Sequence, residues 1–258
     1  MTRVLILAGG LGTRISEETD SKPKPMVEIG DKPILWHLMS IFGAQGLHSF
    51  VIALGYKGDV IKTWLRDLQQ LEGDILFDFS TRTTSQVAPD LHSKLIVNVI
   101  ETGLNSSTSS RISQCMERFP GERLIVTYGD GLANVNVNEL LAFHSSHGKL
   151  ATLTAVRPPA RFGKLSLDKN CITAFEEKNQ LEEGWINGGF FVLEPEVKSY
   201  LKENDISFEY SSLPRLAKDR ELMAFMHKSF WKPMDTLREK KEFEEYNSLN
   251  PKPWLENI

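Results

Sequence analysis

Val4-Leu5-Ile6-Leu7-Ala8-Gly9-Gly10-Leu11-Gly12-Thr13-Arg14 begins with five apolar residues that run straight into a glycine-rich turn. An apolar run closed by glycines reads as a buried strand. It is too short for the apolar region of a secretory signal. The glycines let the backbone approach a phosphate closely, and successive free N–H groups there make an anion-binding nest. The loop is not a Walker A sequence, because no Gly-Lys-Ser/Thr follows at the required offset. Nor is it a dinucleotide fingerprint, since Ile15 stands where a third glycine belongs. Further on, Lys22-Pro23-Lys24-Pro25-Met26 clamps a lysine between two prolines, whose fixed φ holds it at a set point across from the glycines.

Short apolar runs return at residues 49–54, 95–100, 124–128 and 151–156, rich in Val, Ile, Leu and Thr. Between them, residues 33–45, 59–68, 108–119 and 137–147 carry apolar side chains at helical spacing. The first of these starts at a proline and is followed by Gly46, as helix punctuation requires. The alternation predicts an α/β fold, a largely parallel sheet with helices on both faces. Ligands bind at the carboxyl ends of such strands, so glycines and carboxylates just after a strand matter most. Residues 73–94 break the rhythm and read as a long excursion or flap. After residue 157 the pattern turns strand-rich, at 163–167, 171–175 and 189–193, with helical stretches near 196–203 and 235–246. No linker is visible, so residues 1–258 are expected to form one domain.

Of the 258 residues 41% are hydrophobic, and 34 acidic side chains against 30 basic ones leave a net charge of −4. A chain of this length buries about 70–75% of its unfolded surface and needs no staple to fold. The mildly acidic balance without a basic block argues against a nucleic-acid partner. No apolar stretch approaches the ~20 residues that span a bilayer. A cytoplasmic globular protein is expected. Cys115 and Cys171 form no metal-type or redox-type pair and read as two buried thiols, with one disulfide as the alternative. His144 and His147 have i,i+3 spacing that suits a shared metal, but no cysteine or carboxylate nearby completes a set, so surface or helix-end roles are expected. His37, among Leu35, Trp36, Leu38 and Met39, reads as packed or partner-facing.

Two carboxylates stand out. Asp130 follows the strand at 124–128 between Gly129 and Gly131, which exposes it at a strand end. Asp235 follows Pro233-Met234, far along the chain. Two carboxylates with phosphate oxygens and waters suit Mg2+, which rarely receives an all-protein cage. The plainer readings are a turn residue for Asp130 and a helix N-cap for Asp235.

Leu7-Ala8-Gly9-Gly10-Leu11-Gly12-Thr13-Arg14 followed by Lys22-Pro23-Lys24-Pro25 resembles the signature of the sugar-phosphate nucleotidyltransferases. The resemblance extends through Met26-Val27-Glu28-Ile29-Gly30, Lys32-Pro33-Ile34-Leu35-Trp36-His37 and Gly55-Tyr56-Lys57-Gly58. It resumes at Tyr128-Gly129-Asp130-Gly131, Arg161-Phe162-Gly163 and Ile186-Asn187-Gly188-Gly189-Phe190-Phe191-Val192-Leu193. It closes at Phe230-Trp231-Lys232-Pro233-Met234-Asp235-Thr236-Leu237-Arg238, which is similar to the cytidylyltransferase branch of the family.

That resemblance implies a three-layer α/β/α, Rossmann-like nucleotidyltransferase fold with a mainly parallel mixed sheet. Residues 1–157 would form the nucleotide-binding half, and 158–258 the sugar-phosphate-binding and C-terminal half. It implies CTP and glucose-1-phosphate as substrates, Mg2+ as cofactor, and CDP-glucose and pyrophosphate as products of in-line attack on the α-phosphate. Two polyanions must be brought together, so positioning and charge neutralisation are the main catalytic tasks. Arg14 and Lys24 are then the catalytic pair. Leu7, Ala8, Gly9, Gly10, Leu11, Gly12, Thr13, Thr108, Arg111 and Gly129 join them in nucleotide binding, while Asp130 and Asp235 hold the metal.

Arg161, Gly163, Glu177, Lys178, Asn187 and Gly188 are carried over as the sugar-phosphate site, with Lys178 on the phosphate and Glu177 and Asn187 on hydroxyls. A solvated charged turn is the other reading of Glu176-Glu177-Lys178, and a surface ion pair that of Arg161. The family's Thr-Gly-Gly-Arg is here Thr108-Ser109-Ser110-Arg111, read as a loop near the nucleotide where base selection is expected to differ. Its Glu-Lys-Pro is Glu177-Lys178-Asn179, and its Pro-Pro-Gly-Arg is Pro158-Pro159-Ala160-Arg161. Another nucleotide or sugar-1-phosphate is one alternative, and a homologue that binds nucleotide sugar without turnover is another. Relatives form homo-oligomers, with the 73–94 segment as a candidate contact.

Overall fold

The structure, a computed structural model, describes residues 2–12, 15–71, 75–86, 94–158, 164–168, 171–176, 184–201 and 206–256. Seven strands form the main sheet: β1 (Thr2–Ala8), β2 (Ser49–Leu54), β3 (Ile96–Glu101), β4 (Arg123–Tyr128), β5 (Ala151–Val156), β6 (Ile186–Leu193) and β7 (Leu222–Met226). Their spatial order is β7-β5-β6-β4-β1-β2-β3. The pairs β1–β2, β1–β4, β2–β3 and β5–β7 are parallel, and β6 lies antiparallel to both β4 and β5. The sheet is therefore mixed and mainly parallel, as the alternating pattern predicts.

Side chains alternate across β1 with the period of two that a strand imposes. Among the described residues six helices longer than one turn pack around the sheet: α1 (Ile34–Ala44), α2 (Gly58–Leu71), α3 (Thr108–Arg118), α4 (Val137–His147), α5 (Ser212–Lys218) and α6 (Leu237–Asn247). Val4, Ile6 and Ala8 pack into one core with residues of α1, α2, α4 and α6. Leu5 and Leu7 pack into a second core with Ile112, Cys115 and Met116 of α3 and Leu216 of α5. Three layers result. Val4, Leu5 and Ile6 are fully buried, each worth about 1.5–3 kcal/mol.

The antiparallel sense of β6 matters for function. Because Phe190 pairs with Thr127, the start of β6 extends past the carboxyl end of β4 and carries Asn187 and Gly188 to that edge. All the parallel strands of the central block end there too.

Some elements differ from expectation. Residues 222–226 form an edge strand, where one neighbour leaves Met223 and Met226 exposed, so the run lacks the pattern of a buried strand. The helix expected at 196–203 is a 3-10 segment over Pro195–Tyr200. Within 73–94 the described part is a hairpin of Ile75–Asp78 with Thr83–Gln86, and Lys94; residues 73–74 and 87–93 lie outside the described residues. Cys115 is a buried free thiol whose pKa burial raises to about 12, but Cys171 is exposed, which corrects the expectation of two buried thiols. His37 is packed, bonded to the Ile29 carbonyl and edge-on to Trp254. No helix among the described residues is long and apolar enough to cross a membrane.

His144 lies in the last turn of α4, so the helix-end reading holds, but it is buried and not at the surface. Lys149 N–H donates to His147 Nδ1 at 2.9 Å, so His147 donates from Nε2 to Thr152 Oγ1 at 2.8 Å. The Thr152 hydroxyl then donates to His144 Nδ1 at 2.7 Å, and His144 Nε2–H donates to Glu194 Oε1 at 3.1 Å. Arg123 holds the same carboxylate. The relay runs in one direction with both imidazoles neutral. Burial lowers both histidine pKa values below 6.5. The unfolded chain therefore takes up protons first as pH falls, and stability that is complete above about pH 6.5 is lost toward the lower folded values. Thermal melts are expected to show Tm falling as pH drops below about 6.5, less steeply in His144→Asn. Equal slopes in the two proteins would sink this account.

Candidate active site

A cleft of about 290 Å³ opens at the carboxyl ends of β1 and β4. Leu7, Ala8, Gly9, Gly10 and Gly12 line one side, as the strand-then-glycines reading requires, while Leu11 is half exposed and outside the lining. Lys24, Gly129, Asp130, Thr108 and Arg111 line the rest, together with Pro25, Ser106 and Tyr128. Thr13, Arg14, Arg161, Gly163, Glu177 and Lys178 lie outside the described residues.

Lys24 begins a 3-10 turn, Lys24–Met26, between its two prolines, and is only 7% exposed. Its Nζ donates to Asp130 Oδ2 at 2.9 Å and to Asp235 Oδ1 at 2.5 Å. Residues more than 100 apart meet here because of a short antiparallel pair, Gly131–Ala133 with Trp231–Pro233. Met234 N–H donates to the Asp130 carbonyl at 2.7 Å, which draws Asp235 alongside. Asp235 is not the helix cap. Thr236 caps α6 by accepting from Glu239 N–H, and Glu239 accepts from the Asp235 backbone, so the Asp235 side chain is left to face Lys24. Among the described residues no group of three or more His, Cys, Asp or Glu gathers into a metal cage.

Arg111 sits 4% exposed under the glycine loop. Its guanidinium donates to the carbonyls of Leu54, Gly9 and Leu104 and to Thr102 Oγ1. A Cβ at Gly9 would stand 2.2 Å from Arg111 Nη1, so the glycine is what lets the loop lie on the guanidinium. Arg111 thus fixes the loop's shape and brings a positive charge beneath it. Thr108-Ser109-Ser110-Arg111 is the first turn of α3 and not a loop, capped by Ser107. Ser109 is buried against Ser212, and Ser110 accepts from Gln114, so the two extra side chains are used within the protein.

Asn187 and Gly188 stand beside the cleft. Asn187 Nδ2 donates to the Tyr128 hydroxyl at 3.3 Å, and Trp231 Nε1 donates to the Gly188 carbonyl at 2.7 Å. Sequence reasoning missed Tyr128, Ser106 and Glu209. Tyr128 stands in the Tyr128-Gly129-Asp130-Gly131 motif and at a strand end, but the motif assigns it no role. Ser106 and Glu209 sit in no motif. Burial first, then the neighbouring Glu209 carboxylate, pushes the Tyr128 phenol far above its usual pKa.

Gly129 is bound to its neighbours by space. A Cβ there would meet Pro25 Cγ at 2.6 Å and the Leu7 carbonyl at 2.9 Å. Gly129→Ala is expected to cost ~1–3 kcal/mol of stability. It should also displace Pro25 and so Lys24, with a loss of about tenfold or more in turnover. Thermal melts and pyrophosphate release check the two parts separately.

The nucleotidyl transferase family model matches residues 3–237. The chain belongs to that family. A glucose-1-phosphate cytidylyltransferase of Salmonella typhi is 42% identical over 257 residues, covering 98% of each chain. A probable glucose-1-phosphate cytidylyltransferase of Bacillus subtilis is 40% identical over 92% of each chain. Among solved structures, HddC from Yersinia pseudotuberculosis complexed with GMP-PN superposes with a TM-score of 0.70, covering 96% of this chain and 100% of the other at 24% identity. That likeness shows the fold. The match spans the stretch from the glycine turn to Asp235.

Proposed function

We propose that this nucleotidyltransferase joins CTP and glucose-1-phosphate into CDP-glucose and pyrophosphate. The 42% identity to a curated glucose-1-phosphate cytidylyltransferase across nearly the full length of both chains carries the reading. A phosphate oxygen of the sugar-1-phosphate attacks the α-phosphorus of CTP. The bond to the β-phosphate breaks, and pyrophosphate leaves with its electron pair.

The chain's own groups are suited to that task. Backbone N–H groups of the Gly9–Gly12 turn receive phosphate oxygens, with the Arg111 charge held beneath them. Lys24, clamped by prolines in the cleft, meets the charge that grows on the transferred phosphoryl group. Arg14 is assigned to the same charge and Thr13 to the nucleotide. Asn187, Gly188, Glu177, Lys178, Arg161 and Gly163 are assigned to the sugar phosphate.

Asp130 and Asp235 are the assigned metal ligands, and the donor set fits. Two carboxylate oxygens already converge on one cationic atom, Lys24 Nζ, which is the arrangement a divalent ion with few protein ligands needs. Asp130 and Asp235 would hold Mg2+, and the chemistry it would supply there is charge neutralisation for the triphosphate.

The test is pyrophosphate release with Mg2+, glucose-1-phosphate and each of CTP, UTP, dTTP, ATP and GTP in turn. Release with CTP alone is expected. Release with another nucleotide keeps the chemistry and overturns the base assignment, and silence with all five overturns the substrate pair.

A further inference from the structure

Glu209 lies in no motif, yet it holds two walls of the cleft at once. Its Oε2 accepts from the Thr108 hydroxyl at 2.9 Å, and its Oε1 accepts from the Tyr128 hydroxyl. Thr108 Oγ1 in turn accepts from Phe208 N–H at 2.8 Å. Both Thr108 and Tyr128 line the cleft, and Glu209 itself stands behind them.

These contacts have a sense. A carboxylate only accepts hydrogen bonds, so the Tyr128 hydroxyl spends its proton on Glu209 and offers Asn187 a lone pair. Asn187 therefore turns its Nδ2 toward Tyr128 and its Oδ1 toward Gly189 N–H, which donates to it at 2.8 Å. With the amide oriented this way, Asn187 keeps one N–H and one carbonyl lone pair for a ligand, at fixed positions. The sharp turn at Gly189, with φ +80°, completes the arrangement, since a Cβ there would stand 2.6 Å from the Tyr128 ring.

We propose that Glu209 is a positioning residue for the transfer reaction: through Tyr128 it fixes the orientation of the Asn187 amide that meets the sugar, with its second oxygen anchored on the Thr108 hydroxyl. This rests on the assignment of Asn187 to the sugar phosphate. A carboxylate is required because an amide at 209 offers Tyr128 an N–H as readily as an oxygen, which lets the tyrosine hydroxyl and the Asn187 amide both turn over.

The experiment is a double-mutant cycle of Glu209→Gln and Tyr128→Phe, read as KM for glucose-1-phosphate, KM for CTP and kcat, with melts as a check on folding. Glu209→Gln is expected to raise the glucose-1-phosphate KM about tenfold, with kcat and the CTP KM changed by less than about threefold. In the Tyr128→Phe background the same substitution should add less than about twofold, because the path through the hydroxyl is already cut. Independent, multiplying effects on the sugar KM overturn the proposal, as does an unchanged sugar KM in Glu209→Gln. If Glu209→Gln melts too early to assay, Tyr128→Phe alone decides, since an unaltered sugar KM there also overturns it. Wild-type protein that turns over while the cycle fails overturns only the role of Glu209; inactive wild-type overturns the substrate assignment with it.

Discussion

Lys24→Met is expected to lower kcat by ~10²–10³-fold, the usual loss when a donor to developing charge is removed. Methionine keeps the length and the apolar stem, so the loss reports the ammonium itself. A second effect accompanies it. Lys24 Nζ lies between Asp130 and Asp235, and without it two carboxylates face each other with no cation between them. Like charges at close range repel, so Tm is expected to fall, by less than for a fully buried pair because both carboxylates are partly exposed. Lys24→Arg restores the charge but not the function, since the planar guanidinium cannot sit at the single point that an ammonium fills. Turnover within about tenfold of wild type in Lys24→Met would falsify the catalytic role. A rapid-quench measurement of the chemical step separates this loss from slow product release.

The second large effect is expected at the carboxylates. Asp130→Asn and Asp235→Asn each keep shape and hydrogen-bond reach while removing one negative charge. Each should lower kcat by ~10²–10³-fold at fixed Mg2+ and raise the Mg2+ concentration needed for half-maximal rate, because a hard divalent ion loses one of two protein oxygens. Chelator should abolish turnover in wild type. A rate loss with an unchanged Mg2+ dependence would assign the two aspartates to holding Lys24 alone. A protein that only binds nucleotide sugar has no turnover to lose, so the same variants separate a catalyst from a binder.

Much of this site is legible in the sequence because its chemistry is local. Val4–Ala8 and Gly9–Gly12 adjoin, so strand, turn and cleft wall follow from one stretch. Lys24 between its prolines, and Asp130 between glycines, announce themselves the same way. What the sequence hides is long-range. That Asp130 and Asp235 share an ammonium depends on a three-residue strand pair, too short to leave a pattern. Arg111 reads as a ligand from its motif, but burial under the glycine loop gives it carbonyl partners on three segments. The serines of the first α3 turn look like added loop bulk until the helix start places them against Ser212 and Gln114. Strand β7 was missed because an edge strand buries one side poorly, which erases the continuous burial that marks its neighbours.

The pairing of Gly131–Ala133 with Trp231–Pro233 also sets a schedule for synthesis. Lys24 and Asp130 leave the ribosome before the partner carboxylate, which follows the Trp231–Pro233 strand. A nascent chain that stops short of residue 235 owns the glycine turn and the lysine, yet half of its paired carboxylates is absent. On the proposed assignment such a chain carries the phosphate-binding turn without the second acidic group, so catalytic competence waits for the segment that carries Trp231 to Asp235.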